Sequence, residues 1–349
     1  MESFWTGKNV LVTGCTGFKG SWLSLILVHL GAKVSGYALE PDSSLSLFKL
    51  LKLEKEIDVT YDDIRHSDNV KKQITSQNPD FVFHLAAQPL VLKSYKEPLE
   101  TWSTNLTGTL NLLHSFENPK KKCTIIVVTT DKVYHNSENG VSLSEKDRLG
   151  GVDPYSASKA SVELLVSSWQ RSFFEKNQFI SAATARAGNV IGGGDWATDR
   201  IFPDLIKSYL ARKTFILRNP KSTRPWQHVL EPLSGYLLLA QAIHENYKLL
   251  PSYNFAPHQS DNISSLALTK KVSQLIDFQW DIELQTERFE ETHTLNLCNK
   301  NARLDLGYSP RWNLDKAILE TVNWYVNVLQ NNEDAINETL KQINEFKLL

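Results

Sequence analysis

The sequence has few cysteines, no long apolar run and almost no net charge. Cys15, Cys123 and Cys298 lie far apart and form no C-x-x-C pair, which fits a reducing compartment and excludes a disulfide scaffold or a cysteine zinc cage. A formal net charge of −1 gives no general attraction to nucleic acid or to anionic lipid. We therefore expect neither a nucleic-acid partner nor a membrane partner.

Signals for membrane insertion, secretion and metal binding are missing as well. No apolar run approaches the ~20 residues of a membrane span, and the opening stretch MESFWTGKNV lacks a basic-then-apolar signal pattern. The histidines are scattered without an H-E-x-x-H motif or paired spacing, so we predict no metal site. The ordinary balance of apolar and charged residues is typical of a globular enzyme, which we expect to be cytoplasmic.

A glycine motif near the N-terminus predicts a dinucleotide site. Residues 9–13 form an apolar run that ends in GCTGFKG at residues 14–20, and an apolar-periodic helix follows. Glycines allow close backbone approach to a pyrophosphate, and a helix N-terminus offers free N–H groups and a positive dipole end. The alternative is a turn with packing glycines. The residues expected at the cofactor here are Gly14, Thr16, Gly17, Phe18 and Gly20.

Apolar runs alternate with helical patterns from there to about residue 187. Runs such as 33–39, 81–85 and 180–185 predict strands buried on both faces. The alternation predicts an α/β fold, a Rossmann-type doubly wound parallel sheet. We assign residues 1–187 to an NAD-binding domain. Residues 188–349 are assigned mainly to a smaller, interleaved C-terminal α/β domain for the substrate, with some segments returning to the first domain.

The residues after the second predicted strand bear on the choice of cofactor. Folds that bind NAD usually place an acid there for the adenosine ribose, and Glu40 and Asp42 are the nearest candidates. No arginine follows closely to meet a 2′-phosphate, so we favour NAD over NADP. Asp63 and Ile64 are expected beside the adenine, and Asp62 is expected either there or as a cap of the next helix.

Small residues leave the fourth predicted strand. Ala86 and Ala87 follow Leu85, and their size lets a cofactor lie against the backbone. We expect Leu85, Ala86 and Ala87 to contact the cofactor and Gln88 to contact the substrate. In the next helix, Asn105 either supports a neighbouring helix or faces solvent.

The chain around the fifth predicted strand carries the predicted catalytic residues. That strand ends in Thr130, Asp131 and Lys132, at the edge where parallel sheets bind ligands. One loop later, Tyr155 and Lys159 lie four residues apart and so on one face of a helix. A lysine charge beside a phenol favours the phenolate, which suits tyrosine to act as a base. The alternative is a surface pair, because Y-x-x-x-K is common by chance.

A second glycine cluster and nearby arginines predict substrate contacts. The cluster NVIGGGDW at residues 189–196 lacks the Lys-Ser/Thr of a P-loop, so it is not a Walker site. Arginine and asparagine suit a diphosphate, and a tryptophan could stack on a ring; the alternative is an ordinary surface loop. The candidates are Asn189, Arg200, Arg218, Arg224 and Trp226.

Three long blocks carry a specific resemblance. GCTGFKG with YSASK resembles the extended short-chain dehydrogenase/reductase superfamily. The blocks LGGVDPYSASKA, AGNVIGGGDWATDRIFPDL and RNPKSTRPWQHVLEPLSGYLLLA resemble the CDP-glucose 4,6-dehydratases within it, across essentially the whole chain. The resemblance implies a hydro-lyase that uses NAD to convert CDP-D-glucose to CDP-4-keto-6-deoxy-D-glucose, a precursor of deoxysugars in surface polysaccharide such as lipopolysaccharide O-antigen.

The resemblance also implies roles for the catalytic residues. Tyr155, assisted by Lys159, takes the proton of the C4 hydroxyl while hydride passes to NAD, and Thr130 hydrogen-bonds the same oxygen. The C5 proton and the C6 hydroxyl are then lost, with Asp131 as the acid, and hydride returns to C6. Lys132 stands where the dTDP-glucose branch has a glutamate that removes the C5 proton. An ammonium cannot be a base, so either Lys132 is neutral, which burial could arrange, or another group acts.

Family resemblance further implies diphosphate contacts by Asn189 and Arg224, and a homodimer or homotetramer paired through helices near residues 99–118 and 156–175. Two related enzyme classes are disfavoured. UDP-N-acetylglucosamine 4,6-dehydratases typically have methionine in place of Tyr155, and epimerases of this fold generally lack an aspartate at the position of Asp131. A non-catalytic NAD-binding scaffold is disfavoured too, because such proteins usually lose the tyrosine or the lysine.

Overall fold

Seven parallel strands form one sheet in the computed structural model, which describes residues 2–119, 121–136, 140–177, 179–245, 249–283 and 294–348. The strands are β1 (Asn9–Thr13), β2 (Lys33–Ala38), β3 (Asp58–Tyr61), β4 (Phe81–His84), β5 (Cys123–Val128), β6 (Ile180–Ala187) and β7 (Ser252–Phe255). Their spatial order is β7-β6-β5-β4-β1-β2-β3. The order reverses between β1 and β4, which is where doubly wound sheets open a ligand crevice. The predicted α/β fold is confirmed.

Alternate residues of the central strands face two separate apolar layers. In β1, Val10 and Val12 lie in one cluster of buried side chains, and Leu11 lies in the other. Strand geometry explains this split, because successive side chains point to opposite faces of the sheet. Both faces are covered by helices, so the strands consist of continuous apolar runs rather than alternating ones.

Helices connect the strands and form both outer layers. They are α1 (Glu2–Trp5), α2 (Phe18–His29), α3 (Leu47–Leu50), α4 (Ser67–Gln77), α5 (Val91–Lys96), α6 (Pro98–Trp102), α7 (Gly108–His114), α8 (Pro154–Trp169), α9 (Glu175–Asn177), α10 (Ile201–Leu210), α11 (Leu230–His244), α12 (Ser265–Val272), α13 (Lys300–Leu306), α14 (Leu314–Leu329) and α15 (Ala335–Glu345). Two π-helical turns, Ser103–Thr107 and Gln170–Phe174, continue α6 into α7 and α8 into α9.

Local sequence determines where α8 begins, and this start places the predicted catalytic tyrosine. Asp153 is the N-cap, and its side chain accepts a hydrogen bond from the Ser156 backbone N–H at 2.9 Å. Pro154 occupies the first helical position, where a missing N–H costs nothing. Tyr155 therefore lies in the first turn of α8, beside the carboxyl ends of the strands.

Short strand pairs and helices of the second half complete the fold. Val190–Ile191 pairs with Gln227–His228, Thr223–Pro225 with Asn262–Ser264, and Phe215–Leu217 with Trp280–Ile282. Short 3₁₀ turns lie at Leu53–Lys55, Asp131–Val133 and Gln259–Asp261. In addition, β7 returns to the main sheet beside β6. The division of the chain into two domains stays a prediction.

The second glycine cluster connects α2 to α14. The Trp22 indole N–H donates to the Gly193 carbonyl at 3.0 Å, and the Tyr325 hydroxyl donates to the Asp195 carbonyl at 2.7 Å. The Trp324 ring lies so close to Gly193 that a Cβ there would be 2.1 Å from its Cγ. Helix α15 packs behind α14, where the Trp324 indole N–H donates to Thr339 at 2.9 Å. None of the helices in the described part of the chain is long and apolar enough to span a membrane.

We expect Gly193→Ala to lower the free energy of unfolding by about 1–3 kcal/mol, because the added methyl overpacks the contact with Trp324. Urea denaturation followed by tryptophan fluorescence measures this change. Leu304→Ala is the control, because Leu304 is 72% exposed and its truncation should change the free energy by less than about 0.5 kcal/mol. An unchanged unfolding midpoint for Gly193→Ala would contradict the packing described here.

Candidate functional site

The glycine motif lies against the end of β4 at the reversal of strand order. Gly14 has φ +70°, and a Cβ there would lie 2.7 Å from the Ala86 backbone nitrogen. At Gly20 a Cβ would lie 2.1 Å from the Gly14 carbonyl oxygen. Only glycine fits at either position, because a side chain would collide with backbone. The motif thus forms a tight turn between β1 and α2 that brings backbone from β1 and β4 together.

The N-terminus of α2 has the features of a pyrophosphate site. Gly17 is the N-cap and supplies no side-chain cap, so no side chain competes for the first-turn N–H groups. Gly17 is exposed, whereas Phe18 packs against the apolar core near Gly192. Thr16 donates a hydrogen bond to the Leu39 carbonyl at 3.0 Å and so ties the turn to the end of β2. Uncapped N–H groups with a positive dipole end fit the diphosphate of a dinucleotide.

Residues at the end of β3 are tied to their neighbours. Asp63 forms an ion pair with Arg65, whose guanidinium lowers the pKa of that carboxyl by hydrogen bonding. Ile64 is buried against Gly108 of α7. Asp62 accepts hydrogen bonds from His66 and Asn69, but the N-cap of α4 is His66, so Asp62 itself is not the cap.

The predicted catalytic residues meet at the carboxyl end of β5. Thr130, Asp131, Tyr155 and Lys159 are all buried. The Thr130 hydroxyl donates to Asp131 Oδ1 at 3.0 Å and also interacts with the Tyr155 hydroxyl. The Lys159 amine donates to the Val128 carbonyl at 3.1 Å. The Tyr155 phenol, the Thr130 hydroxyl and the Asp131 carboxyl therefore lie in one cluster, and the Lys159 amine lies next to the end of β5.

Burial changes the protonation of this cluster. It raises the pKa of Tyr155 to about 12, against the hydrogen bond with Thr130 and the positive charge of Arg200. Burial also lowers the pKa of Lys159 to about 8. We expected the lysine charge to favour the phenolate, but the amine is directed at the backbone of β5 and the charge that acts against burial on the phenol is that of Arg200. The assistance of Tyr155 by Lys159 during the reaction stays a prediction.

Asp131 is the carboxyl at the exit of β5, and its charge acts on the Tyr155 phenol. Burial raises its pKa, while Lys132, the hydrogen bond from Thr130, and the charges of Arg224 and Lys19 act in the opposite direction. Its Oδ2 has no hydrogen-bond partner within the described residues, and a Cβ at Gly188 would lie 2.8 Å from that atom. A carboxyl with a raised pKa can hold a proton and donate it.

Asn105 supports the helix that carries the tyrosine. It is buried, and its side-chain N–H donates to Ser158 Oγ in α8 at 2.9 Å. Its Oδ1 accepts from the Gln88 backbone N–H at 2.8 Å. The first of the two alternatives for Asn105 is therefore confirmed. The residue ties the exit of β4, with Ala86 and Ala87, to the catalytic helix.

The structure brings two of the predicted arginines to the catalytic cluster. Arg200 forms an ion pair with Asp195 at 3.0 Å, and its charge acts on Tyr155. Arg224 is buried, donates to the Thr223 carbonyl at 2.9 Å, and its charge acts on Asp131. Asn189 precedes both arginines in the chain, and its carbonyl accepts from the Gln227 N–H at 3.1 Å. Their contacts with a substrate stay a prediction.

Three other predicted substrate contacts have different surroundings. Trp226 is only 4% exposed, packs in the apolar core and donates its indole N–H to the Ile263 carbonyl at 3.1 Å, so its ring is not available for stacking on a ligand. The side-chain N–H groups of Gln88 donate to Thr101 Oγ1 and the Leu90 carbonyl, and its side-chain oxygen accepts from the Leu90 backbone N–H. Arg218 is half-buried and forms ion pairs with Asp199 and Asp204. The predicted stacking by Trp226 is therefore corrected by its burial in the core, whereas substrate contacts by Gln88 and Arg218 stay predictions.

Lys19 is a residue that the sequence reasoning missed. It lies in the first turn of α2, and burial lowers the pKa of its amine to about 8, with charge interactions with Arg200, Asp131, Lys159 and Asp195. The available signal was a lysine inside an otherwise apolar and glycine-rich helix start. Within the described residues, no group of three or more His, Cys, Asp or Glu side chains could hold a metal ion.

We expect Gly17→Ala to weaken NAD binding at least about tenfold, which is about 1.4 kcal/mol, without lowering thermal stability. Apart from the two chain neighbours of Gly17, the described residues place one atom within 4 Å of a Cβ there, the Gly14 carbonyl oxygen at 3.4 Å. The methyl therefore fits the protein but occupies the space in front of the α2 N-terminus. Calorimetric titration with NAD and a thermal melt measure the two quantities. Wild-type NAD affinity in this variant would contradict the placement of the pyrophosphate.

Comparison with known proteins places this fold and site in a family. The family model for GDP-mannose 4,6 dehydratase matches residues 11–321. A CDP-glucose 4,6-dehydratase from Salmonella typhimurium is 40% identical, over 99% of this chain and 98% of its own length. A UDP-glucose 4-epimerase from Mycoplasma pneumoniae is 25% identical over 92% of this chain and 97% of its own length.

The fold has close structural similarity to solved proteins as well. An epimerase from Methanothermobacter thermautotrophicus superimposes with a TM-score of 0.81 at 19% identity, covering 95% of each chain. The resemblance to the CDP-glucose 4,6-dehydratases that the sequence blocks indicated is confirmed by the Salmonella relative. From the extent of the family-model match and that identity, the chain belongs to the GDP-mannose 4,6-dehydratase family.

Proposed function

We propose that the chain dehydrates CDP-D-glucose to CDP-4-keto-6-deoxy-D-glucose. The observation that carries the proposal is Asp131, a buried carboxyl with a raised pKa beside Thr130 and Tyr155. A base at the phenol position explains oxidation at C4, and a separate proton donor beside it explains the loss of water. The 40% identity with a CDP-glucose 4,6-dehydratase over nearly the whole chain supports the choice of nucleotide.

NAD is the cofactor that fits the residues of the N-terminal crevice. The uncapped N-terminus of α2 and the turn at Gly14 and Gly20 would hold its pyrophosphate, and Ala86 and Ala87 would lie along it. When bound, NAD would supply the acceptor for the C4 hydride and the donor of that hydride to C6, so no other oxidant would be consumed. Glu40 and Asp42 follow the end of β2, where folds that bind NAD usually place an acid for the adenosine ribose, and this favours NAD over NADP.

Tyr155 is the base for the C4 hydroxyl. Its pKa of about 12 in the free protein disfavours the phenolate at neutral pH, so positive charge near the phenol must lower the pKa for it to accept a proton. Arg200 supplies one such charge, and the Thr130 hydroxyl, which donates to Asp131 in the free protein, can donate to the phenol instead. Thr130 is thereby placed to hydrogen-bond the C4 oxygen while Tyr155 takes its proton.

Asp131 and a second base complete the elimination. The C5 proton goes to the base, the C5–C6 double bond forms, and the C6 hydroxyl leaves as water with the proton of Asp131. When hydride adds to C6, the protonated base returns a proton to C5. Lys132 follows Asp131 directly and is our candidate for the base, in which role its amine must be neutral. Substrate binding involves Arg200, Arg224 and Asn189, whose donors suit the diphosphate.

The test of this function is an incubation with three nucleotide sugars. Purified protein with NAD is given CDP-glucose, dTDP-glucose or UDP-glucose, and the product is analysed by mass spectrometry. Loss of one water from CDP-glucose, and not from the others, is the expected result. An isomer of unchanged mass would instead identify an epimerase, and a panel without any product would contradict the proposal.

We expect Tyr155→Phe to lower kcat by a factor of about 10²–10⁴, because it removes the proton acceptor. Asp131→Asn should lower kcat similarly but still allow C4 oxidation. Reduced cofactor should then accumulate, which an absorbance measurement in the band of NADH detects. Tyr209→Phe and Asp315→Asn are matched controls, since Tyr209 bonds Gln330 at the surface and Asp315 pairs with Lys271 there. Wild-type turnover in Tyr155→Phe would contradict the assignment of the base.

We also propose a homodimer or homotetramer that pairs through α8 and the α6–α7 helix. Leu164 and Phe173 are 63% and 53% exposed on one of these helices, and Leu99 is exposed on the other. Large apolar side chains left in water on neighbouring helices favour association. We place the reaction in the cytoplasm, and its product would supply deoxysugars for surface polysaccharide such as O-antigen.

We expect Leu164→Asp to give a monomer, because a charge in the apolar interface cannot be solvated or paired there. Light scattering after size exclusion measures the mass in solution. Leu304→Asp is the matched control, since Leu304 is 72% exposed, slightly more than Leu164, but lies on α13. Identical masses for Leu164→Asp and the wild type would rule out pairing through this helix face.

A further inference from the structure

A buried ion pair lies beneath the catalytic residues. Arg186 in β6 and Glu163 in α8 meet through two hydrogen bonds, from Nη2 to Oε2 at 2.7 Å and from Nε to Oε1 at 2.9 Å. Their side chains are 4% and 3% exposed. Such a pair contributes little net stability, because desolvation offsets the attraction between the charges. Its hydrogen-bond partners indicate what else it does.

Glu163 reaches the segment that leads into the catalytic threonine. Its Oε1 accepts a hydrogen bond from Thr129 Oγ1 at 2.5 Å, and its Oε2 accepts one from Thr184 Oγ1 at 2.5 Å. Thr129 directly precedes Thr130 at the end of β5. Glu163 also follows Lys159 by one turn of α8 and so lies on the same helix face. One carboxylate thus connects the exit of β5 to the helix of Tyr155 and Lys159.

Arg186 holds the other side of the same segment. Its Nη1 donates to the Tyr134 hydroxyl at 2.6 Å, and its guanidinium lies 5.0 Å from the centre of the Tyr134 ring. The Tyr134 hydroxyl in turn donates to Asn254 Oδ1 in β7 at 2.8 Å. Tyr134 follows Asp131 by three residues, whereas Thr129 precedes it by two. The ion pair therefore binds the chain on both sides of Thr130 and Asp131.

We propose that Glu163 and Arg186 are positioning residues that hold Thr130 and Asp131 in register with Tyr155 during the dehydration. The inference rests on the proposed function, because it concerns the alignment of a base and an acid on one substrate. Neither residue touches the reacting atoms. Alignment matters because a displacement of about 1 Å at a reacting group can cost a hundredfold in rate.

Glu163 also acts on the charge of Lys159. Burial lowers the pKa of that amine to about 8, and the negative charge of Glu163 acts in the opposite direction. The other groups that interact with Lys159 are Lys19 in α2 and His84 in β4, and burial together with the lysine charge lowers the pKa of His84 to about 3. Tyr155 lies one turn away on the same helix. Without the Glu163 charge, Lys159 would lose its proton at a lower pH.

Substitution at Thr129 tests the positioning role with little disturbance of the core. Thr129→Val keeps the shape but removes the hydroxyl that bonds Glu163, whereas Thr129→Ser keeps the hydroxyl. With CDP-glucose and NAD, we expect Thr129→Val to lower kcat tenfold to about a hundredfold at unchanged KM, and Thr129→Ser to stay within about twofold of wild type. If the wild type is active and Thr129→Val has the same kcat, the inference is overturned.

The pH dependence of kcat in Glu163→Gln is a second measurement. It should stay unchanged if Glu163 has a purely structural role. The alkaline limb of kcat should shift to lower pH by about one unit, because the amine loses its counter-charge. An unshifted limb would overturn the role of Glu163 toward Lys159. If Glu163→Gln does not fold, as a thermal melt would show, the Thr129 pair decides the inference alone. A wild type inactive on every nucleotide sugar would overturn the proposed function, and this inference with it.

Discussion

Burial of charge at the carboxyl edge of the sheet is the constraint on which this site depends. Water is largely excluded from Tyr155, Lys159 and Asp131. Burial raises the pKa values of Tyr155 and Asp131 and lowers that of Lys159, so it favours the neutral form of each group. For Lys159 and Asp131 this shift moves the pKa toward working pH, where an acid or base must change its protonation state. For Tyr155 it moves the pKa away from working pH, so positive charge beside the phenol must act against burial there. Nearby charges oppose these shifts: Arg200 acts to lower the pKa of Tyr155, and Glu163 acts to raise the pKa of Lys159.

Both halves of the chain are needed to satisfy that constraint. The first half contributes the strand exits, the glycine turn and α8, which fix the positions of the phenol, the carboxyl and the cofactor crevice. The second half contributes Arg200 and Arg224, whose charges act on Tyr155 and Asp131. Contacts such as the bond from Trp22 to Gly193 hold the second glycine cluster onto α2. Binding, charge and catalysis are thus properties of the assembled chain rather than of the sheet alone.

Much of this organisation could be predicted from local sequence. Apolar runs located the strands, and Thr130, Asp131, Tyr155 and Lys159 do meet because strand exits and helix spacing are local properties. What failed depended on contacts between distant residues. Trp226 looked like a ring-stacking residue, but its partner Ile263 and its burial are visible only in the fold. Lys19 and the pair of Glu163 with Arg186 were missed for the same reason, since nothing along the chain shows that they face the catalytic groups.

The most direct test of the account follows one hydrogen through the reaction. CDP-glucose deuterated at C4 is incubated with the wild-type chain and NAD, and the product is analysed by mass spectrometry and NMR. The account predicts a product lighter by one water that carries the deuterium at C6, because the hydride taken from C4 is returned within the same site. A C4 epimer of unchanged mass, or a dehydrated product without deuterium at C6, would contradict it.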